Sequence, residues 1–255
     1  MSTTSSTTPA VPSDAPQSPY SGPVVDRARR RGGGGASRTP AKPRPPSSLE
    51  LAVLPDHRFD HEGTYRRLGY VDADLSGGAA ESVEVEQCRF RGTDLSTTTL
   101  DRARFTDCLV EHSNLANLRA SDSSWARVRV VASRMTGFTW ADGSLRDVVF
   151  DECRLDLSGW RFTDFHAVAF TGCNLARADF YRADLSGARF VGCDLTGAQF
   201  SQATMKGTRF VNCTLAGIGG LTSWDGAVVQ GQDLIALAYE LAGALGIGIS
   251  DEDDS

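Results

Sequence analysis

No run of about 18 apolar residues occurs in the sequence, so no stretch of it is long enough to cross a bilayer as a helix. Proline is nearly missing beyond residue 49: nine of the ten prolines lie in residues 1–49 and the tenth is Pro55. Histidine is scarce, with four scattered residues (His57, His61, His112, His166), too few to complete metal sites with the cysteines. No glycine-rich loop stands between a strand pattern and a helix, which excludes a phosphate-cradling loop of the nucleotide-binding kind. An apolar stretch is also lacking behind Arg29-Arg30-Arg31, where Gly32 to Gly35 follow instead. The start of the chain therefore does not read as an export signal, and a cytoplasmic protein with no membrane association is expected. Basic side chains are absent from residues 221–255, which hold seven acids.

What is present divides sharply by position. Residues 1–49 are rich in proline, glycine and serine and carry Arg27, Arg29, Arg30, Arg31, Arg38, Lys42 and Arg44 against Asp14 and Asp26. This composition predicts a disordered basic tail, whose arginines could touch nucleic acid only nonspecifically. The chain's formal charge of −6 is thus the sum of a basic tail, repeats that are nearly neutral and an acidic end. Residues 71–220 hold 19 acids and 16 bases.

From Leu75 to Leu215 every fifth residue is apolar, 29 positions without a slip of frame. Two residues before each centre stands a small residue in 27 of the 29 cases, the exceptions being Leu118 and Phe138. A helix repeats every 3.6 residues and a strand every two, so a period of five fits neither. It fits a solenoid that turns two side chains inward and makes a corner in each five. Like residues recur at twenty: Leu155, Leu175, Leu195 and Leu215 form one column, and Phe150, Phe170, Phe190 and Phe210 another. One coil is therefore twenty residues with four sides. At about 4.8 Å per coil, roughly seven coils make a stack about 34 Å long. The pattern is weakest from Leu118 to Gly143, where bulged corners are expected.

All six cysteines occupy the small inward position. Cys153, Cys173, Cys193 and Cys213 fall twenty apart in one column, while Cys88 and Cys108 pair in a second. Parallel stacked side chains do not converge as metal ligands must, so these are read as buried free thiols filling the core.

Ala73-Asp74-Leu75-Ser76-Gly77, Ala178-Asp179-Phe180, Ala183-Asp184-Leu185-Ser186-Gly187 and Cys193-Asp194-Leu195-Thr196-Gly197 resemble the A(D/N)LXX motif of the pentapeptide repeat family. The resemblance implies an all-β fold, a right-handed quadrilateral β-helix, over residues 50–220. The aspartates before the centres (Asp74, Asp94, Asp179, Asp184, Asp194) have a structural role available at the corners. They are also the acidic candidates for facing a partner. No catalytic pair, cofactor site, metal site or small-molecule substrate is expected, because a filled interior leaves no pocket where unlike groups converge.

Residues 221–255 read as a cap. Asp233 is a plausible N-cap for a helix over 233–245, and Leu234, Ile235, Ala238, Leu241, Ala242 and Leu245 make one apolar face. Leu237, Ala244 and Tyr239 cover much of the remainder, so the helix can cap the solenoid on one side and dimerise on the other. Trp224, Leu234, Ile235, Leu237, Ala238, Leu241 and Leu245 are the candidate dimer residues; in the alternative, the helix is only a cap tucked under Trp224 and a strand at Ile247/Ile249. With Gly226-Ala227-Val228-Val229 before the helix and Leu245 to Ile249 after it, this ending resembles the quinolone-resistance branch of the family, Qnr and MfpA. That resemblance implies a homodimer that binds a type II topoisomerase as a mimic of DNA. The alternative is a general interaction scaffold with an unrelated protein partner.

Overall fold

The structure is a computed structural model that describes residues 38–44 and 46–248, without the side chains of Gln232, Ile235 and Ala236. All of these belong to one compact unit, Gly35–Ser255. Arg29–Arg31, the four glycines, Ile249 and the acidic residues 251–255 lie outside the described residues.

The chain winds as a parallel β-solenoid of about nine turns. Strand partners differ by twenty residues, as in Arg119↔Thr139, Leu145↔Phe165 and Phe170↔Phe190. Four inward columns result. Column a holds Leu75, Leu95, Leu115, Met135 and the leucines from Leu155 to Leu215. Column b runs from Ala80 to Phe200, column c from Tyr65 to Met205, and column d from Tyr70 to Phe210; all are buried. Column a is joined by single bridges, and b by three-residue strands from Ala79–Glu81 to Thr139–Ala141 and by single bridges from there to Gly219. Columns c and d merge where Ser124–Val131, Ser144–Asp151 and Asp164–Thr171 continue as strands through the corner between them.

The corner explains why five residues suffice for one side. The residue two after each centre has a left-handed backbone at every repeat from Glu62 (φ 58°) to Gly217 (φ 65°). Only nine of these positions are glycine; among the others are Leu157 (φ 59°) and Phe162 (φ 56°). A left-handed φ costs a residue with a side chain about 1–2 kcal/mol, so the corner is imposed by the coils above and below it. Corner N–H groups along the stack donate to a carbonyl nineteen residues on, for example Asp72 to Arg91 (2.8 Å) and Glu152 to Thr171 (2.8 Å), whereas in the last coils Gln202 donates to Ser223 Oγ and Gly217 to Glu240 Oε1. Each coil thus holds its neighbour in the strained geometry.

Aromatic rings stack at the coil spacing, with centroids 4.8 Å apart for Phe150–Phe170 and 5.0 Å for both Phe170–Phe190 and Phe190–Phe210, all within 6° of parallel. The repeats begin earlier than Leu75: Tyr65 and Tyr70 are in frame and buried, and Tyr70 stacks on Phe90 at 4.8 Å. Phe59 closes that end, packed against the rings of Tyr65, Tyr70, Phe90 and Phe105. At the other end the ladder passes residue 220 to reach Val228–Val229. The partner of Phe210 is Val229, nineteen residues on, because a short 3-10 turn at Leu221–Ser223 replaces a regular corner. Trp224 then lies flat on Phe210 (4.6 Å, 9°) and edge-on to Phe200, plugging the core.

No bulges occur between Leu118 and Gly143; register and corner φ remain regular through Asn117, Asp122, Arg127, Ala132, Gly137 and Asp142. Volume is redistributed inside instead. Leu118 adjoins the small centre Ala120, and the bulky Phe138 and Trp140 are accommodated by Gly143. A Cβ on Gly143 would come 2.4 Å from Trp140 Nε1 and 2.5 Å from the Ser123 carbonyl oxygen. An internal apolar void among Phe90, Leu95, Phe105 and Trp125 is about 10 Å³, room for no more than about one water molecule.

The helix spans Gly231–Ala244, starting two residues before the expected boundary, with Gln230 rather than Asp233 at the N-cap. Part of the stretch assigned by composition to the tail is also docked. Residues 38–44 lie along the corner between columns c and d, hydrogen-bonded to Asp107 and Asp147, and just beyond the assigned tail Glu50–Leu51 pairs with Leu68–Gly69.

Candidate protein-interaction surface

The inward position two before each centre carries a task besides filling space. Its hydroxyl or thiol donates to the carbonyl of a centre residue one coil back: Thr93 to Tyr70 (3.1 Å), Thr98 to Leu75 (3.0 Å), Thr163 to Trp140 (3.0 Å) and Cys173 to Phe150 (3.5 Å). Cys153, Cys193 and Cys213 repeat the same bond. All six cysteines are free and buried. Burial pushes the Cys108 thiol well above the ordinary thiol range, which keeps it protonated and able to donate. Among the described residues no cluster of three or more His, Cys, Asp or Glu side chains is placed to hold a metal ion.

The five candidate acids are all engaged in their own corners. Asp74 accepts from the Ser76 N–H (2.9 Å), Asp94 from Ser96, Asp179 from Tyr181, Asp184 from Ser186 and Asp194 from Thr196. These Asx turns pin the outward residue after each centre. The Ser76 hydroxyl and amide hold the Asp74 carboxyl below its ordinary pKa; at Asp94 burial pulls upward, and the donors Ser96 and Asn114 outweigh it.

Charge on the four faces is mixed. Face a carries Asp74, Asp94, Asp156 and Asp194 with Arg134, Arg154 and Arg177; face d carries Asp72, Glu111, Asp151 and Glu152 with five arginines. Opposite charges meet across coils, as in Arg129–Asp151 (2.6 Å) and Arg89–Glu111 (2.7 Å). Each face carries both signs, although on face d the position just before the centres holds Arg89, Arg129, Arg189 and Arg209 and no acid.

Two surfaces stand out from this background. The first is the C-terminal helix. Leu237 is buried against the last coil and Leu241 is packed on the core, while Asp233 Oδ2 accepts the Cys213 N–H (3.3 Å) and Glu240 Oε1 the Gly217 N–H (2.7 Å). The two acids thereby satisfy backbone donors of the open edge. The other side of the helix is unpaired: Leu234 (51% exposed), Ala238, Tyr239 (67%) and Leu245 (74%), with Ile247 just beyond. Of the candidate dimer residues, Trp224 and Leu237 are thus used inside the fold and Leu241 is half-buried; Leu234, Ala238 and Leu245 face outward, and the Ile235 side chain lies outside the described ones. The stretch after the helix forms no strand at Ile247.

The second surface went unread in the sequence. Phe162, 43% exposed, meets Tyr181 edge-on at 5.7 Å, and the Arg182 guanidinium lies over both rings (5.9 and 5.4 Å). The Arg161 guanidinium also lies over the Tyr181 ring (5.9 Å) and pairs with Asp179 at 2.6 Å. Twenty-residue spacing was the available signal, since 161 and 162 stack under 181 and 182. Arginine and tyrosine held rigidly at a surface are what protein interfaces favour at their centres.

Taken together, these features define a class: a four-sided parallel β-solenoid built on five-residue repeats, capped by a short helix. Residues 163–219 match the family model of the pentapeptide repeat region. Those residues are a pentapeptide repeat region and share the frame that runs unbroken from Tyr65. Comparison with curated protein sequences finds no match. Among solved structures, the chain is similar to HetL, a pentapeptide repeat protein involved in heterocyst differentiation regulation from the cyanobacterium Nostoc sp. strain PCC 7120. Identity is 18%, covering 68% of this chain and 90% of that one, with a TM-score of 0.29. It is also similar to QnrB1, a plasmid-mediated fluoroquinolone resistance protein, at 20% identity over 74% of this chain and 100% of that one, with a TM-score of 0.29. Among the described residues no helix is long and apolar enough to cross a membrane.

Proposed function

We propose that this protein is a non-enzymatic interaction module that pairs through its C-terminal helix and binds another protein, with a type II topoisomerase as the partner to test first. The observation that carries the reading is the division of the helix: one side caps the solenoid, and on the other Leu234, Ala238 and Leu245 are exposed, with no covering surface among the described residues. A second copy of the chain would bury that strip. The likeness of the ending to the quinolone-resistance branch supplies the partner. The mixed charge of every face speaks against recognition by imitation of duplex phosphates and favours contact through shape and individual side chains.

Adding the purified protein to a DNA gyrase supercoiling assay, with and without a fluoroquinolone, tests the partner. Inhibition of supercoiling or relief of drug-stabilised cleavage is expected; no effect and no binding would remove the topoisomerase. The Phe162–Tyr181–Arg182 cluster favours a second reading, a scaffold for an unrelated protein. In that case Tyr181→Ala would abolish capture of the partner recovered by pull-down while gyrase stays unbound.

A further inference from the structure

The corner between columns c and d carries, coil after coil, Gln87, Asp107, Arg127 and Asp147. Side chains at a solenoid corner point to solvent, yet Asp107 and Asp147 are only 7% and 8% exposed. The segment Arg38–Arg44 covers them. Asp147 Oδ1 accepts the Ala41 N–H (2.9 Å), Asp107 Oδ1 accepts the Arg44 N–H (3.0 Å), and the Gln87 amide donates to the Arg44 carbonyl (3.3 Å). Arg127 sits between the two acids and forms a bidentate pair with Asp107, both contacts at 2.7 Å.

The spacing of these contacts has a simple origin. A polyproline II chain has three residues per turn and rises about 3.1 Å per residue, so the N–H groups of residues i and i+3 face the same way about 9.3 Å apart. Two coils of the solenoid rise about 9.6 Å. Ala41 and Arg44 are i and i+3, and Asp107 and Asp147 are two coils apart. The remaining positions follow the same threefold rule: Pro40 and Pro43 are half-buried, and Thr39 and Lys42 are exposed. Proline offers no N–H and is pre-set for this conformation, so Thr39-Pro40-Ala41-Lys42-Pro43-Arg44 presents donors only where a carboxylate can take them or where solvent can.

We infer that this corner is a recognition site for proline-spaced, basic polyproline II segments, in which Asp107 and Asp147 read backbone N–H groups three residues apart, and that the chain's own residues 39–44 are its resident ligand. Arg127 is a positioning residue that holds the Asp107 carboxylate. The inference does not depend on the topoisomerase reading or on dimerisation.

Full-length chains test it. Ala41→Pro with Arg44→Pro keeps the ligand in the same backbone conformation but removes both donors, leaving the solenoid untouched. A fluorescent peptide covering residues 37–47 should then bind this variant saturably and at least tenfold more tightly than it binds the unaltered protein, whose site is filled by a tethered competitor. Adding Asp107→Gly and Asp147→Gly should abolish that binding; glycine accepts the left-handed corners (φ 56° and 55°) without strain. Absence of peptide binding to the double proline variant, equal binding to the unaltered protein, or binding that survives the two glycine changes would each overturn the inference. Amide exchange in the unaltered protein gives an independent reading: Ala41 and Arg44 should be protected at least tenfold relative to Thr39 and Lys42 after correction for intrinsic rates, and equal protection would overturn it as well.

Discussion

Thr163 shows what a single position in the frame does. Its methyl fills the interior, and its hydroxyl donates to Trp140 O and Arg161 O (3.0 and 3.3 Å). Thr163→Val preserves the volume and removes the donor, so the buried Trp140 carbonyl loses it, while the Arg161 carbonyl still accepts the Asp142 N–H (3.1 Å). The expected loss is about 1–2 kcal/mol of stability, measured by urea denaturation; an unchanged midpoint would mean the bond adds nothing. The sequence marked this position as small and inward, but a bond to a residue 23 earlier cannot be read until the coil length is combined with the corner geometry. The cysteines were legible in the same partial way, as volume without the donated S–H. Asp107 provides a test by pH. Burial alone would raise its pKa, but hydrogen bonds from Arg127 and the Arg44 amide, with their positive charges, hold it below the ordinary carboxylate value. Its contribution is therefore complete above the unfolded carboxylate pKa of about 3.9 and is lost as pH falls through the lower folded value. The stability difference between the natural protein and Asp107→Asn should shrink steadily on acidification below about pH 4; a difference that widens there would contradict the assignment.

The C-terminal helix was legible in its existence and in its apolar sides, but not in its start. Asp233 looks like an N-cap because aspartate before an apolar run usually is one. In the structure the cap is Gln230, and the Asp233 carboxylate turns instead to the Cys213 N–H. The spacing held the clue: 233 continues the column of Cys153, Cys173, Cys193 and Cys213 by one more interval of twenty, so the helix enters where the next rung would have been. Asp233→Ala should leave that buried N–H unpaired and weaken the attachment by about 1–3 kcal/mol. Hydrogen exchange should then show faster opening at Cys213–Gly217 and no change in the middle coils. Equal protection in both proteins would show that the helix docks by apolar contact alone, through Leu237 and Leu241.

At the scale of the molecule, the fold was nearly all present in the sequence because one rule, five residues per side, is written 29 times between Leu75 and Leu215. Tyr65 and Tyr70 extend that rule below Leu75, while the ends depart from it: Phe59 closes one, and the nineteen-residue last rung with Trp224 flat on Phe210 closes the other. Function was far less legible, since surfaces are assembled from residues twenty apart and their charges cancel face by face. The outward strip of the helix yields a direct expectation. Sedimentation of the full-length protein should give a dimer, and Leu234→Glu with Leu245→Glu should convert it to a monomer with an unchanged circular dichroism spectrum; a dimer that survives both charges would place the contact elsewhere. The strict coil length also bears on how such a chain can lengthen or shorten over evolutionary time. Removing twenty residues would take out one coil and leave every later side chain on its old face. Removing five would turn everything beyond the cut by a quarter of a revolution, carrying Asp147 off the edge it shares with Asp107 and swinging the helix round to another side. Insertions and deletions that preserve both ends of this molecule are therefore quantised in whole coils.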